Sequence, residues 1–220
     1  MATFRTHITA GLVVGYLIGI VMVVMQWVEL QMTPLLMFMA SVIGSFLPDV
    51  DSDSGMPFRI VFDLFAFTGG CLVFYGCLQH TPLSWSQWIL LPPIVVVIIR
   101  YGVGEVFRRF TRHRGIFHSI PAVLIATFSM PIILKFFMLP ARDIASISLS
   151  VGLGYLSHLV LDEVYATVNF EGGKFTPKKS LGSALSFTGS SQWITGVAYA
   201  LILILIVFNW PLLSQLLRNT

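Results

Sequence analysis

The sequence predicts an all-α polytopic membrane helix bundle of about six to seven spans, on three observations. Charged residues make up only 10% of the 220-residue chain, against roughly 25% in a soluble globular domain. Mean hydropathy is +0.85, and several apolar runs reach the ~20 residues that a spanning helix needs. Cationic residues gather in short segments between those runs instead of spreading along the chain. The length is too small for two large domains, so residues 1–220 read as a single integral membrane domain.

Seven candidate spans follow in order, at roughly 8–28, 34–48, 60–79, 87–105, 119–139, 144–162 and 192–213. The first apolar run, Ile8 to Val28, is too long for the core of a signal peptide, and no small-residue cleavage site follows it. In the second, only Pro34 to Leu47 is apolar, so it reads equally as a tilted span or a re-entrant segment. Cys71 and Cys77 lie six apart inside the third, which makes neither a metal-binding pair nor a disulfide framework. They read as small apolar packing residues. No basic tail or aromatic-interleaved basic stripe is present, so no nucleic-acid partner is expected.

Topology follows from the cations. Arg5, Arg59, Arg100, Arg108, Arg109, Arg112, Arg114, Lys174, Lys178 and Lys179 fall at or near one face, and only Lys135, Arg142 and Arg218 at the other. The positive-inside rule then puts the N-terminus in the cytoplasm and the C-terminus outside, across a cell membrane. That rule counts only Lys and Arg. The same spans nonetheless carry His7, Asp49, Asp51, His113, His118, His158 and Asp162 to the inner side, and the remaining histidine, His80, to the outer.

Helical spacing sharpens this cluster. His7, Gly11, Gly15 and Gly19 recur every four residues in the first span, and small residues at that period let helices approach closely. Gly154, His158 and Asp162 repeat the step in the sixth. His158 and Asp162 therefore stand one turn apart, about 5–6 Å between Cβ atoms. The plain alternative is glycine packing beside an interfacial histidine.

Leu47-Pro48-Asp49-Val50-Asp51 ends the second segment, with Asp53 two positions on. A calcium loop would need Gly and Glu where Ser54 and Ile60 stand, so that reading fails; a solvated turn is the plain alternative. Arg112-His113-Arg114-Gly115-Ile116-Phe117-His118-Ser119 is the densest polar stretch. Ser119 is placed to cap the next helix, with Pro121 in its first turn. His118 would then stand beside a helix N-terminus, where free N–H groups favour an anion. Arg112 and Arg114 are candidates to clamp a phosphate or carboxylate, and topology signalling is their plainer role. Glu105 is a candidate base or orienting group, ahead of Glu163, which points about 100° from Asp162 on an ideal helix.

Imidazoles with carboxylates suit a divalent zinc, manganese or iron better than calcium. Seven ligands exceed the needs of one tetrahedral zinc, so one or two ions are expected. A pair ~3.5–4 Å apart would suit phosphoester hydrolysis.

Thr6-His7, Leu-Pro-Asp-x-Asp at 47–51, His-Arg-Gly-x-x-His-Ser at 113–119 and Ser-His-x-x-x-Asp at 157–162 together resemble the YdjM-type family of LexA-regulated, membrane-bound, metal-dependent hydrolases of bacteria. Pro177 to Gly182 is similar to that family's loop before its last helix. The resemblance covers nearly the whole chain, with motifs in order. It implies a bacterial inner-membrane hydrolase with His7, Asp49, Asp51, His113, His118, His158 and Asp162 as metal ligands. Asp53 departs from the pattern, and the stretch from Tyr165 to Phe187 has no carboxylate besides Glu171.

Three functions compete. The first is a hydrolase at the cytoplasmic interface, taking a phosphoester or lipid-like substrate laterally from the bilayer. The second is a metal or ion transporter, which should place ionisable groups near the bilayer midplane. None lies well inside the first, fifth or seventh span. The third is a non-enzymatic membrane protein with a structural metal.

Overall fold

The structure is a computed structural model, and it describes residues 3–51, 55–79, 84–110, 116–167, 185–188 and 191–218. Its helices are α1 (Phe4–Val24), α2 (Thr33–Phe46), α3 (Met56–Gln79), α4 (Trp85–Val97), α5 (Gly104–Phe110), α6 (Ile120–Leu134), α7 (Ala141–Thr167) and α8 (Gln192–Arg218). Among the described residues, seven helical stretches are long and apolar enough to cross a membrane, as the fold class predicted. The chain divides into two compact units, Met1–Pro48 with Arg114–Thr220, and Asp49–His113.

Small residues set how α1, α2 and α7 meet in the first unit. The buried face of α1 is His7, Gly11, Gly15 and Gly19, the stripe that the four-residue period predicts. The Ser41 hydroxyl of α2 donates to the Gly11 carbonyl at 2.9 Å. On the other side of α2, a methyl group at Gly154 of α7 would overlap the Ser41 carbonyl, and one at Gly44 would overlap the Val151 carbonyl. The backbones of α2 and α7 therefore touch, an approach open only to glycine. Met37, Ala40, Ile147 and Val151 fill the adjoining core.

Helices α6 and α8 carry interior prolines, Pro131 and Pro211, and each proline leaves its helix one N–H short. Side chains bridge the two helices near these breaks. Buried Asn209 of α8 donates its amide to the Phe128 carbonyl of α6 at 2.8 Å, beside the Thr127 carbonyl that Pro131 cannot serve. Lys135, just past α6, reaches the Phe208 carbonyl at 3.4 Å, three residues before Pro211.

The second unit holds α3, α4 and α5. Six residues, Ile98–Val103, form a π-helical passage between α4 and α5, which hydropathy could not show. Arg100 in this passage pairs with Asp63 of α3. Phe58, Phe62 and Phe107 pack together, with ring centroids 4.5 Å apart for the first pair and 5.3 Å for Phe62 and Phe107.

Several ends differ from the hydropathy boundaries. Thr3 caps α1, accepting from the Thr6 N–H at 3.3 Å, so the helix starts four residues before Ile8 and takes in His7. At its other end the chain leaves the helix at Val24. The apolar stretch to Val28 forms a turn instead: Trp27 and Val28 both donate back to the Met22 carbonyl. Helix α7 continues past Asp162 to Thr167. The second segment, short by composition, reaches spanning length as Thr33–Val50 once its terminal 3-10 turn is included.

Candidate metal centre

Four polar side chains of the first unit meet where an apolar core would be expected. His7 comes from the first turns of α1, His118 from just before α6, and His158 and Asp162 from one face of α7. All are buried: His158 is 0% exposed, His7 1%, His118 2% and Asp162 7%. Asp162 is the hub. One carboxylate oxygen lies 3.3 Å from His7 Nε2. The other lies 3.7 Å from His158 Nε2 and 3.8 Å from His118 Nε2. The rings of His7 and His158 stack, with centroids 3.6 Å apart and planes 14° apart. His118 stands edge-on to His158 at 5.5 Å.

Hydrogen bonds orient the rings from behind. His158 Nδ1 lies 2.8 Å from the Ser45 carbonyl, which can only accept, so that nitrogen carries the proton and Nε2 keeps its lone pair. A metal-ligating histidine is held in this way when its outer N–H meets a backbone carbonyl. His118 is placed indirectly. The Tyr155 hydroxyl, one turn before His158 on α7, donates to the carbonyl of Phe117 at 2.5 Å. Residue 117 immediately precedes His118, so this bond ties the ligand-bearing backbone to α7.

The donor set fits a divalent cation. Ligand atoms of His7, His158 and Asp162 all lie within 4.8 Å of one another, and His118 approaches the same carboxylate. Two stacked imidazolium ions would repel strongly at this depth, whereas neutral imidazoles presenting Nε2 beside a carboxylate are a common zinc or transition-metal environment. His7 Nδ1 is buried and has no hydrogen-bond partner among the described residues.

Within the first unit, His7, His118, His158 and Asp162 of the seven proposed ligands lie together. Asp49 and Asp51 lie on the 3-10 turn Leu47–Asp51, in the second unit. Glu105 opens α5 in that same unit. His113, Arg112, Arg114 and Asp53 lie outside the described residues.

Ser119 differs from its expected role. It occupies the N-cap position of α6 with extended backbone, but its side chain makes no cap bond; the hydroxyl donates to the Ile116 carbonyl instead. The Ile120 N–H is taken by the Ser186 carbonyl at 2.9 Å. One of the N–H groups expected to face an anion thus already has a partner. Pro121 does sit in the first turn, buried.

Three contributors escaped sequence reasoning: the Ser45 carbonyl, Tyr155 and the Ser186 carbonyl. Only Tyr155 left a signal, because a tyrosine inside an apolar span needs a partner for its hydroxyl.

A family model described as YdjM inner membrane protein matches residues 1–217. The chain belongs to that family. No curated protein and no solved structure matches it. Membership in the YdjM family accounts for the apolar helices and places the chain in an inner membrane. The His/Asp group is a possible site for a divalent metal within this YdjM chain.

Proposed function

We propose that the chain is a membrane-embedded, metal-dependent hydrolase that works at the cytoplasmic interface on a phosphoester or lipid-like substrate. The observation that carries this reading is the convergence of three Nε2 atoms on one buried carboxylate, with one of the rings held by a backbone carbonyl. Zinc is the proposed metal, with manganese or iron next, as one or two ions. A bound ion would polarise a phosphoryl oxygen and supply an acidified water.

The chain's own residues have separate tasks. Asp162 balances the positive charge and joins the ligands; Ser45 and Tyr155 hold His158 and the His118 backbone in place. On sequence grounds alone, Asp49, Asp51 and His113 complete the ligand set, Arg112 and Arg114 clamp an anionic substrate, and Glu105 serves as base or orienting group. The proposed orientation is N-terminus inside, C-terminus outside.

One observation favours the structural alternative: the four side chains are almost shut off from solvent, as in closed structural sites. Transport finds less support. Ser146, Ser150, Gly154, His158 and Asp162 form a buried four-residue stripe along α7. The two serine hydroxyls donate to carbonyls of their own helix, and backbone contact closes the stripe at Gly154 and Ser41.

The deciding experiment measures metal in the detergent-purified chain by mass spectrometry, beside His118→Ala and Asp162→Ala. Stoichiometric zinc, manganese or iron that both folded variants lose supports the shared site. Turnover of a lipid phosphoester, lost in the same variants, then supports the hydrolase over the structural reading. Absence of metal after reconstitution would sink both metal readings.

A further inference from the structure

At the end of the first unit away from the His/Asp cluster, a cavity of about 720 Å³ with polar and apolar lining opens between the α1–α2 turn, the start of α7 and the C-terminal part of α8. Asp143 at this end and His158 at the other are fifteen residues apart on one helix, ~22 Å along its axis. The volume suits a small ligand or head group. Its lining is unusual for so apolar a chain. Gln26, Gln31 and Gln215 contribute three amides, half of all the glutamines in the sequence. Arg142, Glu29 and Asp143 contribute one positive and two negative charges.

The charges are arranged, not scattered. The Arg142 guanidinium lies over the Trp27 ring, 5.0 Å from its centroid, which holds a flexible cation against a rigid aromatic wall. Glu29 accepts from the Gln31 amide at 2.6 Å. The only two non-glycine residues with positive φ among the described residues are Gln26 (56°) and Met138 (53°). Gln26 lines the cavity, and Met138 directly precedes its lining residue Leu139. Both stand where a helix ends, Gln26 directly after the C-cap Met25 of α1 and Met138 as the C-cap of the 3-10 turn Lys135–Phe137, and the left-handed residue turns the chain out of the helix there.

Neighbouring side chains tell where the cavity sits. Met32 lines it, and Met25, Leu30, Phe137 and Met138, each within two residues of a lining residue in sequence, are exposed as Met32 is, although aliphatic and aromatic side chains of this size avoid water. Immersed in a bilayer interface they are at home. A cavity with one cation, two carboxylates and exposed apolar side chains close by suits a ligand carrying both signs of charge above acyl chains.

We propose that this cavity binds the head group of an amine-bearing zwitterionic phospholipid. The phosphate faces Arg142, and the ammonium faces Glu29 and Asp143. The acyl chains lie against these exposed apolar side chains. This site is separate from the His/Asp cluster and does not depend on the function of that cluster.

The test is native mass spectrometry of the full chain released from nanodiscs that hold equal amounts of phosphatidylethanolamine and phosphatidylglycerol. Wild type is expected to retain one phosphatidylethanolamine at about fivefold or more over phosphatidylglycerol, the scale of two partly exposed ion pairs. The Glu29→Gln/Asp143→Asn double variant should lose that preference, and Arg142→Gln should lower retention of both lipids. Circular dichroism and melting without added lipid check that each variant is folded; should the double variant not fold, either single carboxylate variant replaces it. Equal retention of the two lipids by wild type would overturn the proposal, as would an undiminished preference in the folded carboxylate variants. Displacement of the lipid by millimolar soluble phosphoethanolamine would overturn the lipid assignment, because the exposed apolar side chains would then contribute nothing.

Discussion

Replacing Tyr155 by Phe removes a single oxygen and tests how the candidate centre is built. The tyrosine is 3% exposed, and its ring packs in a cluster with Ala122, Val123 and Leu159, so the phenyl ring should keep its place. What disappears is the hydroxyl's bond to the Phe117 carbonyl at 2.5 Å. A neutral hydrogen bond contributes about 1 kcal/mol, which lowers melting by about 2–4 °C in a chain of this size. Were the bond only structural, nothing further would follow. Because Phe117 adjoins His118, its loss should also let that imidazole drift from Asp162, now 3.8 Å away. Groups that orient a metal ligand from behind are typically worth 10–100-fold in affinity, about 1.4–2.7 kcal/mol. The assay is competition for zinc between a chelator and the detergent-purified chain, wild type beside Tyr155→Phe. About a tenfold weaker apparent Kd is expected. An affinity within about twofold of wild type, alongside the same small loss of melting temperature, would refute the positioning role.

Other perturbations reach different parts of the structure. Gly154→Ala forces a methyl group into the Ser41 carbonyl; overpacking of this kind costs about 1–3 kcal/mol, and thermal unfolding in detergent should show a clear drop. Asn209→Leu removes the amide bridge from α8 to α6 and should cost about 0.6–1.7 kcal/mol, the range for interhelical hydrogen bonds in membranes; an unchanged melting temperature would deny the bridge any net role. Chelation of a metal-loaded sample should lower melting, since a ligand at 100 times its Kd adds about 2.7 kcal/mol; no shift would count against a folded-state metal site. A reporter fused at Thr220 should behave as extracytoplasmic, and a cytoplasmic result would break the seven-span topology. Arg114→Ala should reduce turnover of an anionic substrate more than metal content, and an equal fall in both would end the phosphate-clamp reading.

What the sequence made legible was whatever depends on the helical repeat. A four-residue step placed His158 and Asp162 on one face, and the structure joins them around the same carboxylate. The same step tied His7 to Gly11, Gly15 and Gly19, and the whole stripe is buried. Composition supplied the spans, because lipid tolerates few charges. It failed at Met25–Val28, where apolar residues turn back on Met22; hydropathy records affinity for lipid and cannot tell an apolar turn from an apolar helix.

The parts that stayed hidden are backbone groups. The carbonyl that orients His158 belongs to Ser45, 113 residues earlier, and any residue type would have presented the same oxygen. The Ile120 N–H is met by the Ser186 carbonyl, and of the two residues whose N–H a Ser119 cap would serve, Pro121 has none and Ala122 donates to the Ser119 carbonyl. In a soluble enzyme, water could fill such gaps. In an apolar bundle each buried N–H and C=O needs a partner from the protein, and helices α2 and α7 come close enough to provide one for His158 only because Gly44 and Gly154 lack side chains. The glycines that looked like packing residues are therefore a condition for the geometry of the histidines. A substitution at Gly154 should disturb ligand orientation as well as stability, although its own atoms never touch the site.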